Sequence, residues 1–98
     1  MHPDSKFDSL LESLETGHTF PGAYTFKVIG RNPDSFARTV IRAISEELSL
    51  QHEPPHSVKQ TPNGRHISIT LTLTVETPQH VIKVYQRLQT LDDLVMLM

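Results

Sequence analysis

Apolar and polar residues alternate strictly along residues 67–75. Isoleucine, leucine or valine stands at every odd-numbered position of this run, and serine or threonine stands at every even-numbered one. A period of two is typical of a β-strand with one apolar and one polar face. Serine and threonine suit a solvated sheet surface and keep the β propensity high. The run therefore predicts a central strand of a sheet that is covered on one side only.

Three further strands are predicted around this one. In residues 24–29, the side chains of Tyr24, Phe26 and Val28 share one face. Residues 57–61 form a weak edge strand, because prolines bracket it. Pro62-Asn63-Gly64 is a hairpin turn, since asparagine and glycine tolerate the positive φ of tight turns, and it joins this edge strand to the central one. Residues 94–98 form a last, wholly apolar strand.

Helical spacing of apolar residues appears in three other stretches. Near the N-terminus, the apolar positions fall at i, i+3, i+4 and i+7 and predict a short helix that must pack on something. Residues 35–48 carry one apolar arc and predict an amphipathic helix, with Asn32 or Asp34 as its N-cap. A third helix covers residues 78–88, with Thr77 as N-cap and Pro78 at the first helical position. The apolar positions of the first helix are Phe7, Leu10, Leu11 and Leu14.

The order of elements after the first helix is β-α-β-β-α-β, which defines an α+β fold. It predicts a ferredoxin-like βαββαβ sandwich: a four-stranded antiparallel sheet with two helices on one face, plus the short N-terminal helix. The first and third strands lie in the centre of such a sheet. We divide the chain into an N-terminal extension with a short amphipathic helix, residues 1–19, and a ferredoxin-like domain, residues 20–98.

The C-terminal strand is apolar on both faces. Strict alternation places Leu94, Met96 and Met98 on one face and Val95 and Leu97 on the other. Only one set can point beneath the helices, so the other set leaves an apolar patch on the open face beside an unpaired strand edge. Either the N-terminal helix or a second subunit could cover this patch. We favour the helix, which is tethered to the same domain, and therefore expect a monomer, with a homodimer as the alternative.

Composition limits the classes of function. The 98 residues are enough for one domain with a modest core. The net charge of −2 gives no electrostatic reason to bind nucleic acid or an anionic membrane. The absence of cysteine excludes disulfides and thiolate metal sites. Neither a signal peptide nor an apolar run of membrane-spanning length is visible, so we expect a cytoplasmic protein.

Histidine and arginine residues supply the candidate chemistry. His52 and His56 have a metal-binding spacing for a helix, but the prolines between them forbid a helix, so we predict a solvated loop with no metal and no cofactor. Arg31 follows the first strand, where acylphosphatases of this fold use an arginine. Those enzymes also need an asparagine on the central strand, where this chain has serine and threonine. A hydrolase of that type, using Arg31, is therefore only the alternative reading.

The surface residues bear on two binding modes of this fold, RNA binding and docking of an acidic partner. RNA-recognition domains stack bases on aromatic residues of the open face. The corresponding positions here hold no aromatic residue, which argues against RNA binding. The outer faces of the two long helices are basic and could dock an acidic partner, although such stripes are usually solvated surface. The open-face positions are Thr25, Lys27, Ser68, Thr70 and Thr72, and the basic helix positions are Arg38, Arg42, Lys83 and Arg87.

The stretch from Phe20 to Gly30 resembles the start of the YbeD-like family, small bacterial proteins of unknown function. The Asn63-Gly64 turn, the strand of alternating Ser/Thr with Ile/Leu and the apolar C-terminal strand match as well. The resemblance covers about residues 10–98, and residues 1–9 are an extension beyond it. It implies an ACT-like fold and a regulatory role, with a ligand near the loop after the first strand.

From these patterns we expect a non-enzymatic binding module without catalytic residues. The resemblance implies an ACT-like regulatory domain that senses a small molecule or modulates a partner protein. The ligand-binding residues it implies are Gly30, Arg31 and Asn32.

Overall fold

The computed structural model describes residues 5–31 and 34–98. Within these ranges it contains three helices and four strands. In chain order they are α1 (Ser5–Gly17), β1 (Gly22–Gly30), α2 (Phe36–Glu47), β2 (His56–Gln60), β3 (Ile67–Val75), α3 (Pro78–Leu88) and β4 (Leu94–Leu97).

The four strands form one antiparallel sheet in the order β2-β3-β1-β4. The first and third strands are central, and the helices pack on one face. This is the predicted ferredoxin-like sandwich, and the prediction is confirmed.

β3 contributes its odd-numbered residues to the core, as its alternation predicts. Ile69 lies opposite Val28 of β1, and Leu71 lies opposite Phe26. All four side chains are fully buried. On the other face, Thr72 is exposed and its hydroxyl lies 2.9 Å from that of Thr25. The strand therefore separates an apolar layer beneath the helices from a hydroxyl-rich open face.

α2 and α3 bury apolar arcs at helical spacing, as expected of amphipathic helices on a sheet. α3 begins as expected: the Thr77 Oγ1 accepts a hydrogen bond from the backbone N–H of His80, 3.3 Å away, and Pro78 is the first helical residue. The N-cap prediction for α2 is wrong with respect to Asp34. The cap is Ser35, whose side chain makes no capping hydrogen bond. Asn32, the other predicted cap, lies outside the described residues.

The β2–β3 hairpin turns at the predicted Asn-Gly pair. Gly64 has a φ of +74°, whereas Asn63 does not adopt a positive φ. Instead, the Asn63 Oδ1 accepts hydrogen bonds from the Thr61 hydroxyl at 2.8 Å and from the Arg65 N–H at 3.0 Å. β2 itself is exposed along its whole length, as expected of an edge strand.

α1 packs against α3, within the helix layer. Phe7 and Leu14 join the buried core, and Leu10 packs on it. We expected α1 to cover the apolar patch on the open face beside β4, and this expectation is wrong. Met96, which lies opposite the open-face residue Ile29, remains half exposed. α1 buries Phe7 and Leu14 of its apolar side in the helix layer, so this side is not available to cover the open face.

β4 does not keep the strict alternation of side chains predicted for it. A register shift between Ile29 and Gly30 pairs Leu97 with Val28 and Leu94 with Gly30, both of which are buried. Leu94 and Leu97 therefore both pack on the core, although the sequence placed them on opposite faces. A bulge of this kind adds one residue to a strand and reverses the alternation beyond it.

No helix in the described ranges is both long enough and apolar enough to span a bilayer.

Candidate functional site

The β1–α2 corner consists of Gly30, Arg31 and the first turn of α2. Gly30 is buried, and a Cβ atom at this position would clash with the ring of Phe36, the first residue of α2. Because glycine has no side chain, the Phe36 ring can pack directly against the backbone of β1 at residue 30. Steric packing of α2 on β1 is sufficient to explain why residue 30 lacks a side chain.

Arg31 is exposed, and its backbone N–H donates a hydrogen bond to the Asp93 carbonyl oxygen, 2.8 Å away. This bond fixes the end of β1 to the residue that precedes β4. The predicted ligand residues Gly30 and Arg31 therefore stand together at the corner, while Asn32 lies outside the described residues. Ligand binding by these three residues stays a prediction.

The N-terminus of α2 adjoins this corner. The N–H groups of its first three residues have no carbonyl partner within the helix, that of Thr39 donates to the Ser35 carbonyl oxygen, 3.1 Å away, and Ser35 supplies no side-chain cap. The first turn also carries no acidic residue. The partial positive charge of the helix end is therefore not neutralised from within the first turn. Together with the Arg31 guanidinium, these N–H groups can donate to a small anion, which would also meet the carboxylate of Asp34, the residue directly before the cap.

Ion pairs engage half of the basic positions predicted on the helix surfaces. Arg38 Nη1 lies 2.7 Å from Glu53 Oε1. Arg87 pairs with Glu46, and its Nη1 lies 3.9 Å from Glu47 Oε1. These contacts reduce the positive field that an acidic partner would meet.

The histidines of the 51–56 segment belong to no metal-binding cluster of three or more side chains among the described residues. His56 begins β2, one residue earlier than predicted, and its Nδ1 lies 3.0 Å from the Pro54 carbonyl oxygen. Across residues 5–31 and 34–98, no three His, Cys, Asp or Glu side chains are placed to share a metal ion.

Two tyrosines meet beneath the helices in a contact that sequence reasoning missed. The Tyr24 and Tyr85 hydroxyls are 3.0 Å apart, and the His18 ring lies tilted against that of Tyr24, with the ring centroids 5.3 Å apart. Burial raises the pKa of Tyr85 well above its usual range, and the hydrogen bond with Tyr24 raises it further. Tyr85 is therefore neutral at physiological pH, and the two hydroxyls form a partly buried polar link. The alternation of β1 predicts that Tyr24 shares a face with Phe26 and Val28, but it cannot show that the Tyr24 hydroxyl meets that of Tyr85.

The β4 edge carries the largest group of exposed apolar side chains. We define it as the outer backbone of Leu94–Leu97 together with the side chains of Val95, Met96 and Met98. These side chains are 43%, 50% and 58% exposed, respectively. On the helix side, the edge borders an apolar groove of about 310 Å³. The groove is lined by Phe7, Leu10, Tyr85, Gln89, Leu97 and Met98.

Comparison with known proteins identifies one family over most of the chain. Residues 15–98 match the family described as "Protein of unknown function (DUF493)". A UPF0250 protein of Idiomarina loihiensis, IL0958, is 32% identical over 89 residues, which cover 91% of either chain. A UPF0250 protein of Shewanella frigidimarina is 33% identical over 82 residues, covering 84% of this chain and 83% of the relative.

A solved structure supports the fold independently. The solution structure of protein HP0495 from H. pylori superimposes with a TM-score of 0.58, covering 82% of this chain and 84% of that one. The two sequences are 17% identical, so the likeness concerns the ferredoxin-like fold alone.

Proposed function

From the premise that this chain belongs to the DUF493 family of proteins of unknown function, we propose that it is a regulatory binding module rather than an enzyme. The predicted YbeD-like membership is confirmed. The names of the relatives state no reaction and no ligand. ACT regulatory domains resemble the family in fold, and the proposal extends their role to this chain. The predicted cytoplasmic location stays a prediction.

The proposed ligand is a small anion, a carboxylate or a phosphate, bound at the β1–α2 corner. The observation that carries the proposal is the start of α2, where Ser35 leaves the first turn without a side-chain cap. Backbone N–H groups at such an end donate to anions, and the helix dipole favours negative charge there. Arg31, exposed at the end of β1, adds a guanidinium that can bind two oxygens of one ligand.

Titration followed by amide NMR shifts tests this proposal. The probes are inorganic phosphate and a panel of free amino acids, each added to the full chain at constant ionic strength. We expect the largest shifts at Arg31 and residues 34–39, and a dissociation constant raised at least about tenfold by Arg31→Ala. Arg42→Ala is the matched control, because Arg42 is exposed in the middle of the same helix. Equal effects of the two substitutions, or no localised shifts with any probe, would overturn the assignment.

The alternative is an acylphosphatase-type hydrolase that uses Arg31. The open face of β3 presents Ser68, Thr70 and Thr72, so the central strand offers hydroxyls where that chemistry needs an amide. We expect no hydrolysis of an acyl phosphate above the uncatalysed rate. Turnover that disappears in Arg31→Ala would replace the binding proposal with the enzymatic one.

A further inference from the structure

The strands give the open face of the sheet positive charge and no negative charge. Among the residues of the four described strands, Lys27 on β1 and Lys59 on β2 are the only lysine, arginine, aspartate or glutamate residues. Lys27 lies opposite Thr70 of β3, and Lys59 lies opposite Ser68. Residues that lie opposite each other in a sheet share a face, so both lysines stand on the hydroxyl-rich open face.

The two lysines are exposed, and neither forms an ion pair within the described residues. The ion pairs reported above instead join arginines of α2 and α3 to carboxylates of α2 and of the 51–56 segment. The closest carboxylates along the chain, Glu76 directly after β3 and Asp93 directly before β4, belong to the connections. The charge of Lys27 and Lys59 is therefore not balanced by any strand residue.

Apolar side chains adjoin the lysines on the same face. Ile29 follows Lys27 by two residues on β1, and it lies opposite Ser68 on one side and the half-exposed Met96 on the other. Lys59, Ser68, Ile29 and Met96 thus form one row across all four strands. At the usual strand spacing the row spans about 14 Å. An α-helix with its side chains is about 10–12 Å wide, so a helix laid on this face would meet a lysine on the β2 side and apolar side chains on the β4 side.

We infer that the open face docks an acidic amphipathic helix of a partner protein. Such a helix carries carboxylates beside an apolar stripe, so its glutamates reach Lys27 and Lys59 while its apolar residues cover Ile29 and Met96. Both parts are needed, because ion pairs between exposed side chains contribute little on their own. Nucleic acid fits this face less well, since single-stranded bases stack on aromatic side chains and the strands present none of these on the open face.

Fluorescence anisotropy with a labelled synthetic peptide tests the inference on the full chain. The probe is an amphipathic helix of leucine, alanine and glutamate, and its matched control has lysine at each glutamate position. We expect the glutamate peptide to bind and the lysine peptide not to bind. The affinity for the glutamate peptide should fall as salt is added, because salt screens exposed charges.

Charge reversal in the protein locates the docking surface. Lys27→Glu combined with Lys59→Glu should raise the peptide dissociation constant at least about tenfold and leave the circular dichroism spectrum unchanged. Arg42→Glu combined with Lys83→Glu is the matched control, since it makes the same change of net charge at exposed positions of α2 and α3. The control should change the dissociation constant by less than about twofold, because charges away from the contact are screened. Met96→Ser should weaken binding by removing part of the apolar contact.

Three results would overturn the inference. If the glutamate peptide fails to bind, or if the two charge-reversal variants weaken it equally, the open face is not its docking surface. If Met96→Ser binds the peptide as tightly as the wild type, the contact is not with an amphipathic helix in this position. If single-stranded oligouridylate binds more tightly than the peptide, the occupant of the face is a nucleic acid.

Discussion

Leu71 and Thr70 are neighbours in β3 with opposite surroundings. Leu71 is fully buried opposite Phe26, whereas Thr70 lies on the open face opposite Lys27. We expect Leu71→Ala to lower the free energy of unfolding by about 2–5 kcal/mol, because it removes buried methyl groups and leaves a cavity. Thr70→Ala should change it by less than about 1 kcal/mol. Urea denaturation measures both, and equal losses would mean that the open face is covered.

Tyr85 makes stability depend on pH in the alkaline range. Its folded-state pKa is raised, so this residue contributes stability that is fully present below the unfolded-state pKa, near 10.0, and is lost as the pH rises towards the folded-state value. We expect the stability advantage of the wild type over Tyr85→Phe to shrink above about pH 10, by at most about 1.4 kcal/mol per pH unit. Urea midpoints between pH 8 and about 11 measure it. A constant difference between the two proteins would contradict the raised pKa.

The residue scale also shows where sequence patterns stop being informative. The alternation of β3 identified its buried residues because successive side chains of a strand point to opposite faces, so the positions along the strand are enough to sort them. The Tyr24–Tyr85 contact joins residues 61 positions apart, so it depends on how β1 and α3 are placed in space. For the same reason, the family resemblance implied a ligand site at Gly30, but the sequence could not show that the ring of Phe36 occupies the space beside this glycine.

At the scale of elements, α1 is the part of the structure whose position departs most from expectation. Its helical spacing was informative, but spacing does not say which surface an amphipathic helix will cover. Similarly, the bulge at Ile29/Gly30 turns Leu94 and Leu97 to the same side, and nothing in an all-apolar strand signals such a shift. Patterns within an element are thus predictable, whereas docking and register depend on partners distant in sequence.

The docking of α1 makes the N-terminal helix part of the core. Leu14 is almost fully buried, whereas the adjacent Glu15 is exposed. We expect Leu14→Ala to cost about 2–5 kcal/mol, and Glu15→Ala to stay within about 0.5 kcal/mol. Thermal unfolding followed by circular dichroism compares the two. If Leu14→Ala melts with the wild type, α1 contributes nothing to the stability of the domain.

For the whole molecule, the described side chains bring no metal-binding group together. A metal that binds the folded state stabilises it by mass action. We therefore expect the melting temperature to be the same with added zinc, with EDTA and with neither. A zinc-dependent rise that disappears in His56→Ala would reveal a site built on the 51–56 segment.

The hydrogen bond from the Arg31 N–H to the Asp93 carbonyl has a consequence for the anion proposed at the corner. The Arg31 amide is protected only while the end of β1 stays joined to the residue before β4. A ligand that binds the folded chain stabilises it by mass action. An anion held at this corner should therefore slow the exchange of the Arg31 amide proton with deuterated solvent.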